Sequence, residues 1–327
     1  MLSLRRGTVT SIGERHEGFV RLEVDGRACI AYPRLTGPVA LGDEVIVNVQ
    51  AVELELGSGG FDILYANLTR GLDLPAEPGA HVMKLPYTPL QFAREHAEES
   101  ASPHVTLDGM PVVALSLHSQ LAPACAALAG ESVAYVQVAG GALPVSFSDA
   151  VRILKERELL SLAIGAGPCF DGDVDCVNVY SALLVARERG ARVVVCGIGP
   201  GVIGTGTRFG HGGMAATQAV HAASALGGRP ILALRLSEGD ARERHQGLSH
   251  HSTAVLALSD ETCRTAWPSS CPIDDPLAEK ADTVDVGDWR EACAGLPLRH
   301  MGRGPDEDPW FFAAAFAAGR LAKSLLT

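Results

Sequence analysis

Lysine is nearly missing from this 327-residue chain. Only Lys84, Lys155, Lys280 and Lys323 occur, so almost all positive charge is arginine. Acidic residues outnumber basic ones, 38 to 27, for a formal net charge of −11. Nucleic acids and anionic membrane surfaces demand a cationic surplus, so the sequence predicts neither as a partner. Long apolar runs are missing too. The charge-free stretch Pro309 to Gly319 ends at Arg320, short of the ~18 residues a spanning helix needs, and reads as a buried terminal helix. The opening Met-Leu-Ser-Leu-Arg-Arg runs into Gly-Thr-Val-Thr, with no apolar signal-peptide core. Among the eight cysteines there is no C-x-x-C pair. Most lie in apolar patterns, where a reduced thiol packs as a small hydrophobe, and this predicts a cytoplasmic protein.

Glycine is plentiful, at 36 residues, and the hydrophobic fraction of 47% supplies an ample core. Residues 1–70 alternate short β-rich runs (Arg6 to Ile12, Gly18 to Val24, Arg27 to Tyr32, Glu44 to Val49, Phe61 to Asn67) with turns at Asp25-Gly26, Gly42-Asp43 and Gly57 to Gly60. Such spacing predicts a small β-barrel or curled sheet. Residues 71–110 read as a linker, Pro- and Gly-rich over Leu72 to Ala80, and a bridging segment with helical composition over Pro89 to Glu99.

From 111 to 327 the pattern becomes α/β. Apolar runs at Pro111 to Leu117, Ser132 to Val138, Leu159 to Gly165, Arg192 to Ile198 and Pro230 to Leu236 alternate with helical stretches near 119–129, 146–157, 174–189 and 213–226. Continuous apolar strands are buried on both faces, so a doubly wound, mostly parallel sheet flanked by helices is expected. Thr283 to Val286 is a possible sixth strand, residues 240–281 are less regular, and Asp308-Pro309 starts the last helix.

In such sheets ligands bind beyond the carboxyl ends of the strands. The loop after the fourth strand is the strongest signal there. Gly199, Gly201, Gly204, Thr205, Gly206 and Thr207, extended by Gly210-His211-Gly212-Gly213, suit an anion approached by backbone N–H groups, with two hydroxyls in support. The string fits the dinucleotide fingerprint only formally, because no helix opens on it, and it lacks a P-loop lysine. The alternative is that these glycines only make tight turns. His118 and Ser119, after the first strand, and His250 and His251, after the fifth, are the candidate acid/base and nucleophilic groups. His118 is expected to meet His250 or His251 across the rim, although each histidine is equally suited to capping a helix or satisfying a carbonyl. His245, with His211 or His118, would extend a metal set, but no dense ligand motif is present and no metal ligands are assigned. Asp171 and Asp173 read as helix caps, Ser249 as the cap of a helix beginning at His250, and Lys84 as a rim or interface residue.

Five strings, His81 to Gln91, Leu117 to Pro123, Gly199 to Thr207, His245 to His251 and Met301 to Gly304, together resemble a bacterial family designated domain-of-unknown-function family 3866. The resemblance covers nearly the whole chain and implies no activity and no site residues. An acidic residue often precedes the Gly-Gly-Ala-Leu-Pro string in that pattern, and Ala139 stands there in this chain. The expected function is binding of a small anionic metabolite (phosphorylated, carboxylated or a nucleotide) at the rim, with the choice between an enzyme using histidine acid/base chemistry and a sensor left open. No cofactor is specified. The alternatives are a non-catalytic assembly or sensor protein whose glycine loops form a homo-oligomer interface, and a metal-dependent hydrolase.

Overall fold

A computed structural model describes residues 2–56, 59–70, 74–100 and 105–326. Part of the linker segment, part of the Gly57 to Gly60 turn and part of the bridging segment lie outside the described residues. The chain divides into two compact units, Met1–Glu95 and His96–Thr327.

In the first unit β1 (Leu4–His16), β2 (Phe19–Val24), β3 (Arg27–Ala31), β4 (Glu44–Asn48) and β5 (Asp62–Asn67) close into a barrel, with short helices α1 (Pro33–Thr36) and α2 (Gln50–Glu53) between strands. The long β1 serves both sides of the closure, pairing through Leu4 to Thr8 with β4 and through Val9 to His16 with β2. All pairings are antiparallel except that of β3 with β5. This strand order, 1-2-3-5-4, is that of the OB-fold. Alternating residues Val20, Leu22 and Val24 of β2, with Val45 and Val47 of β4, fill the interior. Beyond the barrel, β6 (Val82–Lys84) and β7 (Phe92–Arg94) form a hairpin. The helix expected over Pro89 to Glu99 is therefore absent apart from one 3-10 turn at Ala97–Glu99, because pairing with β6 takes the backbone groups of 92–94. Lys84 is buried, so its ammonium does not snorkel to water.

The second unit is the expected doubly wound domain. In chain order it comprises β8 (Pro111–Leu115), α3 (Leu121–Ala127), β9 (Val133–Val138), α4 (Asp149–Glu156), β10 (Leu162–Ala166), β11 (Val174–Cys176), α5 (Val179–Glu188), β12 (Val193–Ile198), α6 (Ala215–Ala225) and β13 (Arg229–Ala233). The small strands β14 (Leu236–Ser237) and β15 (Gly247–Leu248) follow, then α7 (His250–Leu256), β16 (Arg264–Pro268), β17 (Asp282–Val284), α8 (Trp289–Ala292) and α9 (Pro309–Ser324). Eight strands form one sheet in the order β11-β10-β9-β12-β8-β13-β16-β17, and every pair in it is parallel.

Burial on both faces explains the unbroken apolar runs. Val113 and Leu115 of β8 pack into one core with α3, α8 and α9, while Val112 and Ala114 pack into the other with α5 and α6. Two strands depart from the sequence reading. The first turn of the helix expected at 174–189 is edge strand β11, and the helix begins at Val179, capped by Asn178, whose Oδ1 accepts from Ser181 N. Asp173 instead accepts from Ala163 N and pairs with Lys155, and Asp171 accepts from Ser146 Oγ, so neither caps that helix. The second, β16, lies in the segment read as irregular, since Arg-Thr-Ala-Trp-Pro carries no apolar run. No helix among the described residues is long and apolar enough to cross a membrane.

Candidate functional site

The chain leaves adjacent strands β8 and β12 in opposite directions: β8 leads to α3, in one core, and β12 to α6, in the other. A crevice at such a switch point is where open α/β sheets bind ligands. Loops 116–120, 199–214 and 234–249, and the segment 297–308 before α9, supply the residues around it.

The glycine-rich loop after β12 is a hairpin. Gly204 bridges His211 in antiparallel fashion, Thr205 N donates to Gly210 O at 2.7 Å, and Gly212 N donates to Ile203 O at 2.7 Å. The hydroxyls of Thr205 and Thr207 lie 2.8 Å apart, and Thr207 N donates back to Thr205 Oγ1. Many donors expected to face an anion are thus used internally. Some glycines are explained by close backbone approach: a Cβ on Gly212 would lie 1.9 Å from Gly140 O, and one on Gly199 2.2 Å from Ala142 O. Gly201 and Gly206, by contrast, face open space. Gly204 has a more specific task, since a Cβ there would lie 2.9 Å from Cβ of His211.

What the hairpin delivers is His211. Its ring stacks on His251 at 3.8 Å and 12° and meets His250 edge-on at 5.4 Å. His245 packs against both His250 and His251, at 4.7 and 5.0 Å. Consecutive residues diverge by about 100° on a helix, yet both histidines join the cluster because it wraps the start of α7. Ser249 caps that helix, its Oγ accepting from His251 N, and lies 2.7 Å from His245 Nδ1. Both ring nitrogens of His211 and Nε2 of His250 are buried without a well-formed hydrogen bond, although the Arg208 backbone lies near enough to the His211 ring to favour its charged form. One nitrogen from each of His211, His250 and His251 lies within 4.8 Å of the other two.

Beneath the rings runs a charged network. Asp240 accepts from Arg235, Arg242 and Arg303, and Arg303 also donates to Asp308 at 3.1 Å. Arg235 Nη1 donates to His251 Nδ1 at 3.3 Å. Asp308 holds the N-cap position of α9 as expected, with Pro309 starting the helix, but its carboxylate makes no cap bond and accepts from Ser237 Oγ at 2.7 Å and from Arg303. Burial raises the Asp240 carboxyl, but the hydrogen bonds and charges of the arginines win and hold it far below the usual range. Burial lowers every ring of the cluster, His245 to about 3 and His251 to about 2. Cationic neighbours push the same way, with Arg235 acting on all four rings and Arg244 also on His250, while the Arg208 backbone opposes at His211 and Asp240 at His245.

His118 has other partners. Its Nδ1 lies 3.0 Å from Ile198 O, an acceptor only, so that nitrogen carries the proton. Nε2 then accepts from Ser148 Oγ at 2.7 Å, and this oxygen caps α4 by accepting from Val151 N. Burial lowers the ring to about 4. His118 therefore ties the β12 loop to α4, with both nitrogens engaged, and its ring partner is Tyr135. Ser119 Oγ lies 3.1 Å from Nδ1 of His300, whose ring stacks on Phe311 at 3.9 Å.

The structure thus brings His250 and His251 to the glycine hairpin through His211, and sets His118 at the hairpin's root. Arg235, Asp240, Arg242, His300 and Arg303 are site residues that the sequence reading did not select. The available signal was Arg235 itself, a charge directly after the apolar run Ile231 to Leu234.

No curated protein matches this chain. The profile of one family, described as Protein of unknown function (DUF3866), matches residues 28–319, and the chain belongs to that family.

Proposed function

We propose that the second unit binds a small anionic metabolite, phosphorylated, carboxylated or a nucleotide, at the β8/β12 switch point and acts on it through the adjacent histidines. The observation that carries this reading is permanent charge. In the network under the rings three guanidiniums, Arg235, Arg242 and Arg303, face two carboxylates, Asp240 and Asp308. One positive charge is left over beside a cluster of neutral rings, in a protein whose overall charge is strongly negative. A local field of that sign at a switch point favours an anion. Arg242 and Arg303 are half-buried, so a ligand gains from their charge without carrying the whole burial cost.

The histidines are suited to accepting a proton from the ligand or from water, because rings held neutral at pH 7 keep a lone pair. Catalysis by metal-free acid/base chemistry and by a metal-assisted route both fit this reading. The test is thermal stabilisation of the full-length protein by inorganic phosphate, pyrophosphate, citrate and ATP, in the presence of a chelator. At least one anion raises the melting temperature, and Arg242→Gln and Arg303→Gln each remove most of the rise. No stabilisation by any of them, or stabilisation indifferent to both variants, overturns the reading.

A second reading rests on the hairpin, where Ile203 at its base and Phe209 near its tip are 66% and 47% exposed. Apolar side chains there suit contact with a second subunit. If that contact is their role, Phe209→Ser lowers the oligomeric state measured by light scattering and leaves anion stabilisation in place.

A further inference from the structure

We propose that His211, His250 and His251 hold a divalent transition-metal ion of the zinc type. The proposal deepens the reading above by giving the same rim a cofactor. It rests on that reading only for location, since the geometry invoked here needs no substrate.

The first ground is convergence. Three imidazoles from separate parts of the chain, the hairpin after β12 and the start of α7, each place a nitrogen within 4.8 Å of the other two. Tetrahedral ligation at ~2.0–2.1 Å requires nitrogens about 3.3 Å apart. Closing that gap requires the ring of His211 or His251 to turn about its side-chain bonds and leave the stack.

The second ground is unmet bonding. Both nitrogens of His211 and Nε2 of His250 are buried without a well-formed hydrogen bond, the Arg208 backbone offering His211 only a poorly aligned one. Each such atom has lost its water without gaining a bond in return, and stacked neutral rings do nothing to relieve it. A metal ion bonded to one nitrogen of each ring removes part of that cost.

The donor set selects the class of ion. An all-imidazole site suits zinc, cobalt, nickel or copper, whereas magnesium and calcium demand oxygen. Three ligands leave a fourth position open, the arrangement of catalytic rather than structural zinc.

Three features oppose the ion. The rings of His211 and His251 stack at 3.8 Å and 12°, so their in-plane lone pairs do not meet at one point until one ring turns out of the stack, and that contact is given up. Arg235 donates to His251 Nδ1 at 3.3 Å, and this bond is lost whichever nitrogen binds: a metal at Nδ1 replaces it, and one at Nε2 forces the proton onto Nδ1. Arg235 keeps its 3.0 Å pair with Asp240, so the cost is one long hydrogen bond. The positive field of Arg235, Arg242 and Arg303 also disfavours a dication. An anion in the open position reverses that penalty, and linkage then requires each ligand to tighten the other.

The experiment uses full-length protein stripped with chelator and titrated with Co²⁺ alone, read by visible absorption and calorimetry. One equivalent binds with a dissociation constant on the order of 1 μM or tighter, with the intense bands of a four- or five-coordinate site, and Zn²⁺ displaces it. His211→Leu and His250→Ala each weaken binding at least roughly tenfold, while His221→Ala, outside the cluster, binds as the parent does. Circular dichroism verifies the fold of each variant. Absence of stoichiometric binding, or equal affinity in folded His211→Leu and His250→Ala, overturns the proposal. Anion stabilisation is measured separately in chelator, so loss of the metal site leaves that result standing.

Discussion

The rings of His211 and His251 stack at 3.8 Å although 40 residues separate them in the chain. One rides on the hairpin after β12, the other on the first turn of α7. Their contact joins the loops of two strands that flank β8, and the nitrogens of His211 make no well-formed hydrogen bond there. A packing role explains the stack but not the unmet nitrogens.

Replacing His211 by a leucine separates these roles. Removing an unsatisfied buried polar group and keeping its volume is close to neutral or stabilising. His211→Leu therefore leaves the metal-free melting free energy within about 1 kcal/mol of the parent or raises it, while ligand binding falls. A loss above about 3 kcal/mol in denaturant unfolding makes His211 a structural residue.

Gly204 and Gly206 differ by what a side chain would meet. At Gly204 a Cβ comes within 2.9 Å of the His211 Cβ; at Gly206 it meets nothing within 4 Å. Gly204→Val thus displaces His211 and abolishes anion stabilisation without altering charge, whereas Gly206→Ala keeps both stability, within about 0.5 kcal/mol, and binding. Equal behaviour of the two variants in the thermal-shift assay contradicts this. Gly212→Ala, with its Cβ 1.9 Å from Gly140 O, is expected to cost about 3 kcal/mol or more.

Acid weakens the fold through the buried histidines. Burial lowers His118 from the usual 6.5 to about 4, and His245 and His300 to about 3. The unfolded chain takes up protons near pH 6.5 that the folded one refuses. Their contribution to stability is accordingly complete above pH 6.5 and lost as the pH falls through the folded values. Urea unfolding at pH 7.5 and pH 5 shows lower stability at the acid end, with a shallower slope in His118→Gln. Equal stability at both pH values excludes the neutral, buried rings described above.

The division between Glu95 and His96 gives a fourth expectation. A fragment 96–327 contains both large apolar cores, which is ample for independent folding, and it unfolds cooperatively in urea. Aggregation of that fragment under conditions where the whole chain is soluble counts against it.

The sheet was legible because its central strands are buried on both faces: Val112 to Leu115 and Val193 to Ile198 read as continuous apolar runs. Edge strand β11 and the penultimate strand β16 escaped detection because Val-Asp-Cys and Arg-Thr-Ala-Trp-Pro carry no such run, and their pairing is decided by neighbours distant in sequence. The glycine loop was visible as composition, but not the reason for it. Gly212 is there for Gly140, and Gly204 for His211. The arginine network was hidden because its members come from residues 235, 240, 242, 303 and 308, which only the return of the chain before α9 brings together.

The most direct test of the rim is a crystal of the full-length protein soaked with phosphate and with a nucleotide. The account predicts anion density within hydrogen-bonding distance of Arg242 or Arg303 and against the ring of His250. Density only elsewhere on the molecule, or a rim sealed by a second subunit's apolar surface, contradicts it.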